Sequence, residues 1–93
     1  MKNRTRIDIY AAILETINNH PDGVRLTRIT YGAGISTDRA RTFLDLLQSA
    51  GLVAPSKEDS NYYVTTKHGD KFLSSYYILK GYLNEMRENL DQI

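Results

Sequence analysis

The C-terminal segment places the tightest limit on what this chain can fold into. Apolar residues fall at Phe72, Tyr76, Leu79, Leu83, Met86, Leu90 and Ile93, in alternating steps of four and three. That spacing keeps one edge of a helix apolar over about three heptads, the pattern of a coiled-coil seam. Thr66 is suited to cap the helix at its start, and the pattern runs to about Gln92. Leu73 and Tyr77 lie beside the seam and are expected to pack on a globular part. Beyond residue 80 the helix outruns so small a domain. A bare seam in water is costly, so a partner helix is expected, and a second copy of the chain is the simplest one. Phe72, Tyr76, Leu79, Leu83, Met86, Leu90 and Ile93 are the expected dimer contacts. Gly81 sits in mid-helix, where it costs about 1 kcal/mol against Ala, and marks a close approach or a bend.

With 93 residues the chain has room for one core. We divide it into a head, residues 1–69, and a dimerisation helix, residues 70–93, continuous with it. There is no Cys, which excludes disulfides and thiolate metal sites. No apolar run approaches the length needed to span a membrane, and the basic start is not followed by a signal-peptide apolar block, so a cytoplasmic setting is expected.

The head reads as three helices and a hairpin, a mainly α (α+β) class. Thr5 and Asp8 form a capping-box pattern before a helix from about Arg6 to Asn19, with Ile7, Tyr10, Leu14 and Ile17 as its stripe, widened by Ile9 and Ile13. His20-Pro21-Asp22-Gly23 is a turn signal. A short helix fits Leu26 to Tyr31 and ends in Gly32-Ala33-Gly34, which allows a positive-φ turn. Ser36 then caps a third helix, 36–49, whose Ala40, Phe43, Leu44 and Leu47 form an apolar stripe and whose exit is Gly51. Two helices around a short Gly-containing turn make a helix-turn-helix. Leu52-Val53-Ala54 and Tyr62-Tyr63-Val64-Thr65 are β-prone and flank a polar turn, 55–61, so a two-stranded wing is expected after it.

Arg28-Ile29-Thr30-Tyr31-Gly32-Ala33, followed by Ile35-Ser36, resembles the helix-turn-helix of the small dimeric archaeal winged-helix proteins, a chromatin-associated family of about this length. Tyr63-Val64-Thr65-Thr66-Lys67-His68-Gly69 resembles that family's strand-to-helix junction, and Asn84 to Gln92 resembles its coiled-coil segment. The resemblance implies a homodimer joined by an antiparallel coiled coil, with two winged-helix heads on double-stranded DNA. Thr65 stands where an apolar residue is usual, and the termini are less Lys-rich than in an abundant chromatin protein. A transcriptional regulator and an architectural protein therefore stand equal, the latter nucleoid-associated.

Net charge is only +1, so a positive face must come from arrangement. Lys2, Arg4, Arg6, Arg25, Arg28, Arg39 and Arg41 place the basic excess in the front of the chain. With helix 36–49 in the major groove, Arg41 is the expected base reader, because a guanidinium pairs bidentately with guanine O6 and N7. Arg39, Arg28 and Arg25 are expected on phosphates. Ser36 and Thr37 at the helix start, with Thr42 on the same face, add hydroxyls. Lys57 at the wing tip reaches a flanking groove, and Arg4 and Arg6 form a basic arm. Asp38, Asp45, Glu58 and Asp59 oppose phosphate, which keeps open a protein–protein interaction module without DNA binding. His20 and His68 form no metal-ligand pattern, and no nucleophile set or phosphate loop appears. Neither a cofactor, a metal nor an enzymatic activity is expected.

Overall fold

A computed structural model describes the backbone of residues 4–91 and the side chains of residues 4–87. In chain order it contains α1 (Arg6–Asn18), α2 (Leu26–Ala33), α3 (Thr37–Ser49), β1 (Val53–Pro55), β2 (Tyr63–Thr65) and α4 (Lys67–Asp91). This is the expected winged helix-turn-helix, mostly helical, with a two-stranded antiparallel wing and a long C-terminal helix. Among the described residues, no helix is long and apolar enough to cross a membrane.

α1 starts where the capping box places it. The Thr5 hydroxyl accepts from the Asp8 amide, and the Asp8 carboxylate accepts from the Thr5 amide. Its buried face is Ile9, Ala11, Ile13, Leu14 and Ile17. Ile7, expected on that stripe, is half exposed, because the i, i+4 row from Ile9 through Ile13 to Ile17 sets the direction of the core. Ile29 from α2 and Leu44 from α3 complete the core's most buried set, and each such side chain contributes about 1.5–3 kcal/mol.

α2 runs two residues further than its apolar spacing implies. Gly34 alone in that segment takes a positive φ, 67°, and caps the helix through its amide to Thr30. Gly32 is helical and serves a different need. A Cβ there would overlap the Thr16 side chain of α1, so its bare Cα permits the two helices to cross closely.

α3 exits through Gly51, at φ 78°. The turn sends the Leu52 amide back to the Leu47 carbonyl, so pairing starts at Val53 and not at Leu52. β1 and β2 pair in register Val53 to Thr65, Ala54 to Val64 and Pro55 to Tyr63. Tyr63 also exchanges both backbone hydrogen bonds with Val24, at 2.7 and 3.0 Å, which ties the wing to the α1–α2 connection. Tyr62, expected in the strand, precedes it.

At the wing-to-α4 junction the Thr66 hydroxyl donates to the Gly51 carbonyl at 2.6 Å and accepts from the Gly69 amide at 3.1 Å. Gly69 is buried beneath the Leu52 carbonyl, where a Cβ has no room. The first turns of α4 then pack on the head through Leu73, with Phe72 and Tyr76 half-buried against the core. The Tyr76 hydroxyl donates to Asp8 at 2.6 Å, Lys80 stands 3.6 Å from the same oxygen, and the Tyr77 hydroxyl donates to Glu15. After that the 25-residue helix leaves the head, and the long axis of the molecule reaches 54 Å.

The Tyr76 hydroxyl, aided by the Thr5 amide, holds the Asp8 carboxyl down at about 2. Asp8 in turn pushes Tyr76 up to about 12. Tyr77, through desolvation and its Glu15 partner, is also pushed up to about 12. The depressed Asp8 contributes stability that is complete above its ordinary value and is lost as pH falls from about 4 to about 2. The raised Tyr76 contributes stability that is complete below about pH 10 and is lost as pH climbs to about 12.

Tyr76→Phe accordingly lowers the thermal midpoint at neutral pH, and its deficit against the unchanged protein shrinks toward both acid and alkaline ends; circular dichroism melts across pH check this. Gly69→Ala destabilises by about 1–3 kcal/mol through overpacking against backbone. Gly81→Ala, where a Cβ meets nothing within 4 Å, stabilises by about 1 kcal/mol; urea titrations measure both.

Candidate nucleic-acid interface

The outward face of α3 is set by its inward one. Ala40, Phe43, Leu44 and Leu47 are buried, which leaves Thr37, Asp38, Arg39, Arg41, Thr42 and Asp45 in solvent. The Ser36 hydroxyl accepts from the Arg39 amide at 3.3 Å, so it caps the helix. The Thr42 hydroxyl is turned back onto the Asp38 carbonyl at 3.1 Å. Asp38 lies in the first turn, where its charge suits the helix dipole. Thr37 remains exposed at the helix start.

The arginines divide among three environments. Arg41 lines an open groove of about 520 Å³ together with Arg25, which precedes α2, with Thr27 and Asp45 from the helices, and with Ser60 and Asn61 from the wing. α3, the α2 entrance and the wing therefore meet in one concavity with two guanidiniums. Arg25 also stacks on the Tyr62 ring at 5.3 Å, which orients its head group. Arg28 lies instead in a second groove, of about 570 Å³, which shares Arg25 and Thr27 with the first. Arg39 folds over the Phe43 ring at 5.5 Å, and that ring packs edge-on against Tyr10. Among the described residues the one ion pair within 4 Å is Lys80 with Asp8, so no carboxylate pairs directly with these arginines.

Lys57 is exposed in the wing turn and does not line the first groove. Asp59, an acid of the wing, shapes the turn itself. Its carboxylate accepts from the Asn61 amide at 3.0 Å and its carbonyl from the Tyr62 amide. Arg4 of the expected basic arm donates to the Gly34 carbonyl at 3.3 Å, bracing the turn between α2 and α3. Arg6 is exposed on α1, and Lys2 lies outside the described residues.

Thr27, Ser60 and Asn61 were not singled out by the sequence. Thr27 had a usable signal, since it occupies the first turn of the helix that enters the helix-turn-helix. The positions of Ser60 and Asn61 depend on how the wing folds over the groove, and nothing in their spacing announces it.

The expected dimer residues also divide. Phe72 and Tyr76 are half-buried against the head, whereas Leu79, Leu83 and Met86 are 48, 46 and 58% exposed. Ile78 and Tyr82, off the seam, are each 61% exposed and broaden the apolar face. The side chains of Leu90 and Ile93 lie outside the described residues. No trio of His, Cys, Asp or Glu gathers at one point among the described residues.

Comparison with known proteins bears on this geometry. The winged helix-turn-helix family matches residues 3–83. No curated protein matches the chain. Among solved structures, Sso10a-2, a DNA-binding protein from Sulfolobus solfataricus, is similar at 24% identity with a TM-score of 0.73, covering 96% of this chain and 95% of that one. The multiple antibiotic-resistance repressor MarR from Listeria monocytogenes is similar at 21% identity and a TM-score of 0.68, covering 88% of this chain but 59% of its own length. A mutant of MepR from S. aureus is similar at 18% identity and a TM-score of 0.65, covering 97% of this chain and 66% of its own. At these identities the likeness is one of fold.

Proposed function

The chain belongs to the winged helix-turn-helix family, and from that premise we propose that it binds double-stranded DNA as a homodimer, in a regulatory or an architectural role. The observation that carries the reading is the groove in which Arg41 of α3 meets Arg25 and the wing residues Ser60 and Asn61. α3 enters the major groove with Arg41 on base edges and Thr37 near the backbone. Arg25, Arg28 and Arg39 lie against phosphates, with Ser36 and Thr42 completing the surface. The wing with Lys57 flanks the site. The structural neighbours described as a DNA-binding protein and a repressor support this reading.

Dimerisation through α4 is part of the same proposal. Leu79, Leu83 and Met86 have no cover in one copy, and Phe72 and Tyr76 start the seam where it leaves the head. Leu90 and Ile93 extend it by spacing. In this reading residues 1–69 bind DNA and residues 70–93 pair. Asp45 in the groove and Asp38 on α3 favour a second reading, a protein-interaction surface of the same fold.

Fluorescence anisotropy with labelled duplexes at two salt concentrations tests the DNA reading. Affinity falls steeply with salt, because release of the duplex's condensed counterions becomes less favourable. Arg25→Ala with Arg41→Ala weakens binding by at least about tenfold, the scale of lost guanidinium contacts. Unchanged affinity removes this groove as the contact, and no duplex binding at low salt selects the protein-interaction reading. Sedimentation gives twice 10.6 kDa for the unchanged chain, and Leu83→Glu returns it to monomer without loss of the helical signal. A monomeric unchanged chain at micromolar concentration defeats the dimer.

A further inference from the structure

The second groove is chemically unlike the first. The first contains the Asp45 carboxylate; the second has none in its lining. Its walls carry the guanidiniums of Arg25 and Arg28, the His20 imidazole and the rings of Tyr31 and Tyr62. Tyr31 is 83% exposed, the most open of the large hydrophobic side chains of the head, and projects from α2 without a hydrogen-bond partner among the described residues. Tyr62 is half-buried and held under Arg25. The groove is open to solvent and, at about 570 Å³, has room for a group the size of a nucleotide.

We infer that this groove takes an unpaired nucleotide of a nucleic-acid strand, its base stacked on Tyr31 and its phosphate against Arg28 and Arg25. The inference rests in part on the DNA-binding reading, because the groove shares Arg25 and Thr27 with the duplex surface. Three features select the ligand. An exposed aromatic ring offers a platform to any base, since every base has a π-face. Two guanidiniums with no carboxylate in the lining suit a polyanion and disfavour a second copy of this same basic surface. The continuity with the first groove lets one strand pass from paired to unpaired across Arg25. The protein would thereby prefer duplex next to a single-stranded segment, such as an end, a gap or a melted stretch, over continuous duplex.

The test compares four labelled or competing probes at one moderate salt concentration: a blunt duplex, the same duplex with a short oligothymidine overhang, oligothymidine alone, and free thymidine monophosphate. The overhang tightens binding about fivefold or more, the lower end of one stacked base. Tyr31→Ala removes that gain and leaves blunt-duplex affinity unchanged, while Tyr31→Phe retains it. Arg41→Ala weakens blunt and overhang duplexes by the same factor. Equal affinity of the unchanged protein for blunt and overhang duplexes overturns the inference. So does a Tyr31→Ala loss that is the same on both, which makes Tyr31 a duplex contact, or displacement by the free mononucleotide as strongly as by oligothymidine, which makes the groove a small-ligand site. If blunt duplex fails to bind at all, the DNA reading falls, and Tyr31-dependent binding of oligothymidine alone still decides the groove.

Discussion

The Thr66 hydroxyl adds a polar link among three parts of the molecule that share one apolar core. It donates to the carbonyl that ends α3 and accepts the free amide that begins α4, while its own amide bonds Leu52 at the root of the wing. The geometry is possible because Gly69 lets α4 press against the Leu52 carbonyl. The exit of α3, the base of the wing and the start of α4 thus share one set of hydrogen bonds over an apolar core. The base of the wing and the first turn of α4 are joined by hydrogen bonds as well as by chain.

Much of this architecture is legible in the residues. The Thr5–Asp8 box, the Ala40–Phe43–Leu44–Leu47 stripe and the Gly34 and Gly51 exits are local patterns, and local hydrogen bonding enforces them. What misleads is tertiary. Gly32 reads as the start of a turn, yet it is helical because its missing side chain is needed against Thr16. Leu52 reads as strand, yet the left-handed Gly51 bends it into the exit of α3. Ile7 fits a helical stripe, but only the packing direction of Ile9, Ile13 and Ile17 decides that it lies outside.

The site is less legible than the fold for a related reason. A surface arginine carries no periodicity, so its environment depends on which elements fold beside it. Arg25 and Arg41 are distant in sequence and share a groove; Arg39 and Arg41 are near neighbours and part, one lying over Phe43. The seam shows the same limit. Phe72 and Tyr76 continue the heptad without a break, but α1 offers them a nearer surface, with Asp8 as a partner for the tyrosine.

That division of α4 has a thermodynamic consequence. The head completes its core with Leu73, Phe72 and Tyr76, and draws nothing from Leu79, Leu83 or Met86. The core of the head therefore does not require the outer stretch, whereas pairing through that stretch, as proposed, would obey mass action and add stability as concentration rises. If α4 pairs as proposed, a rise in protein concentration changes the number of heads acting together. Under that proposal valency, and with it avidity, follows abundance.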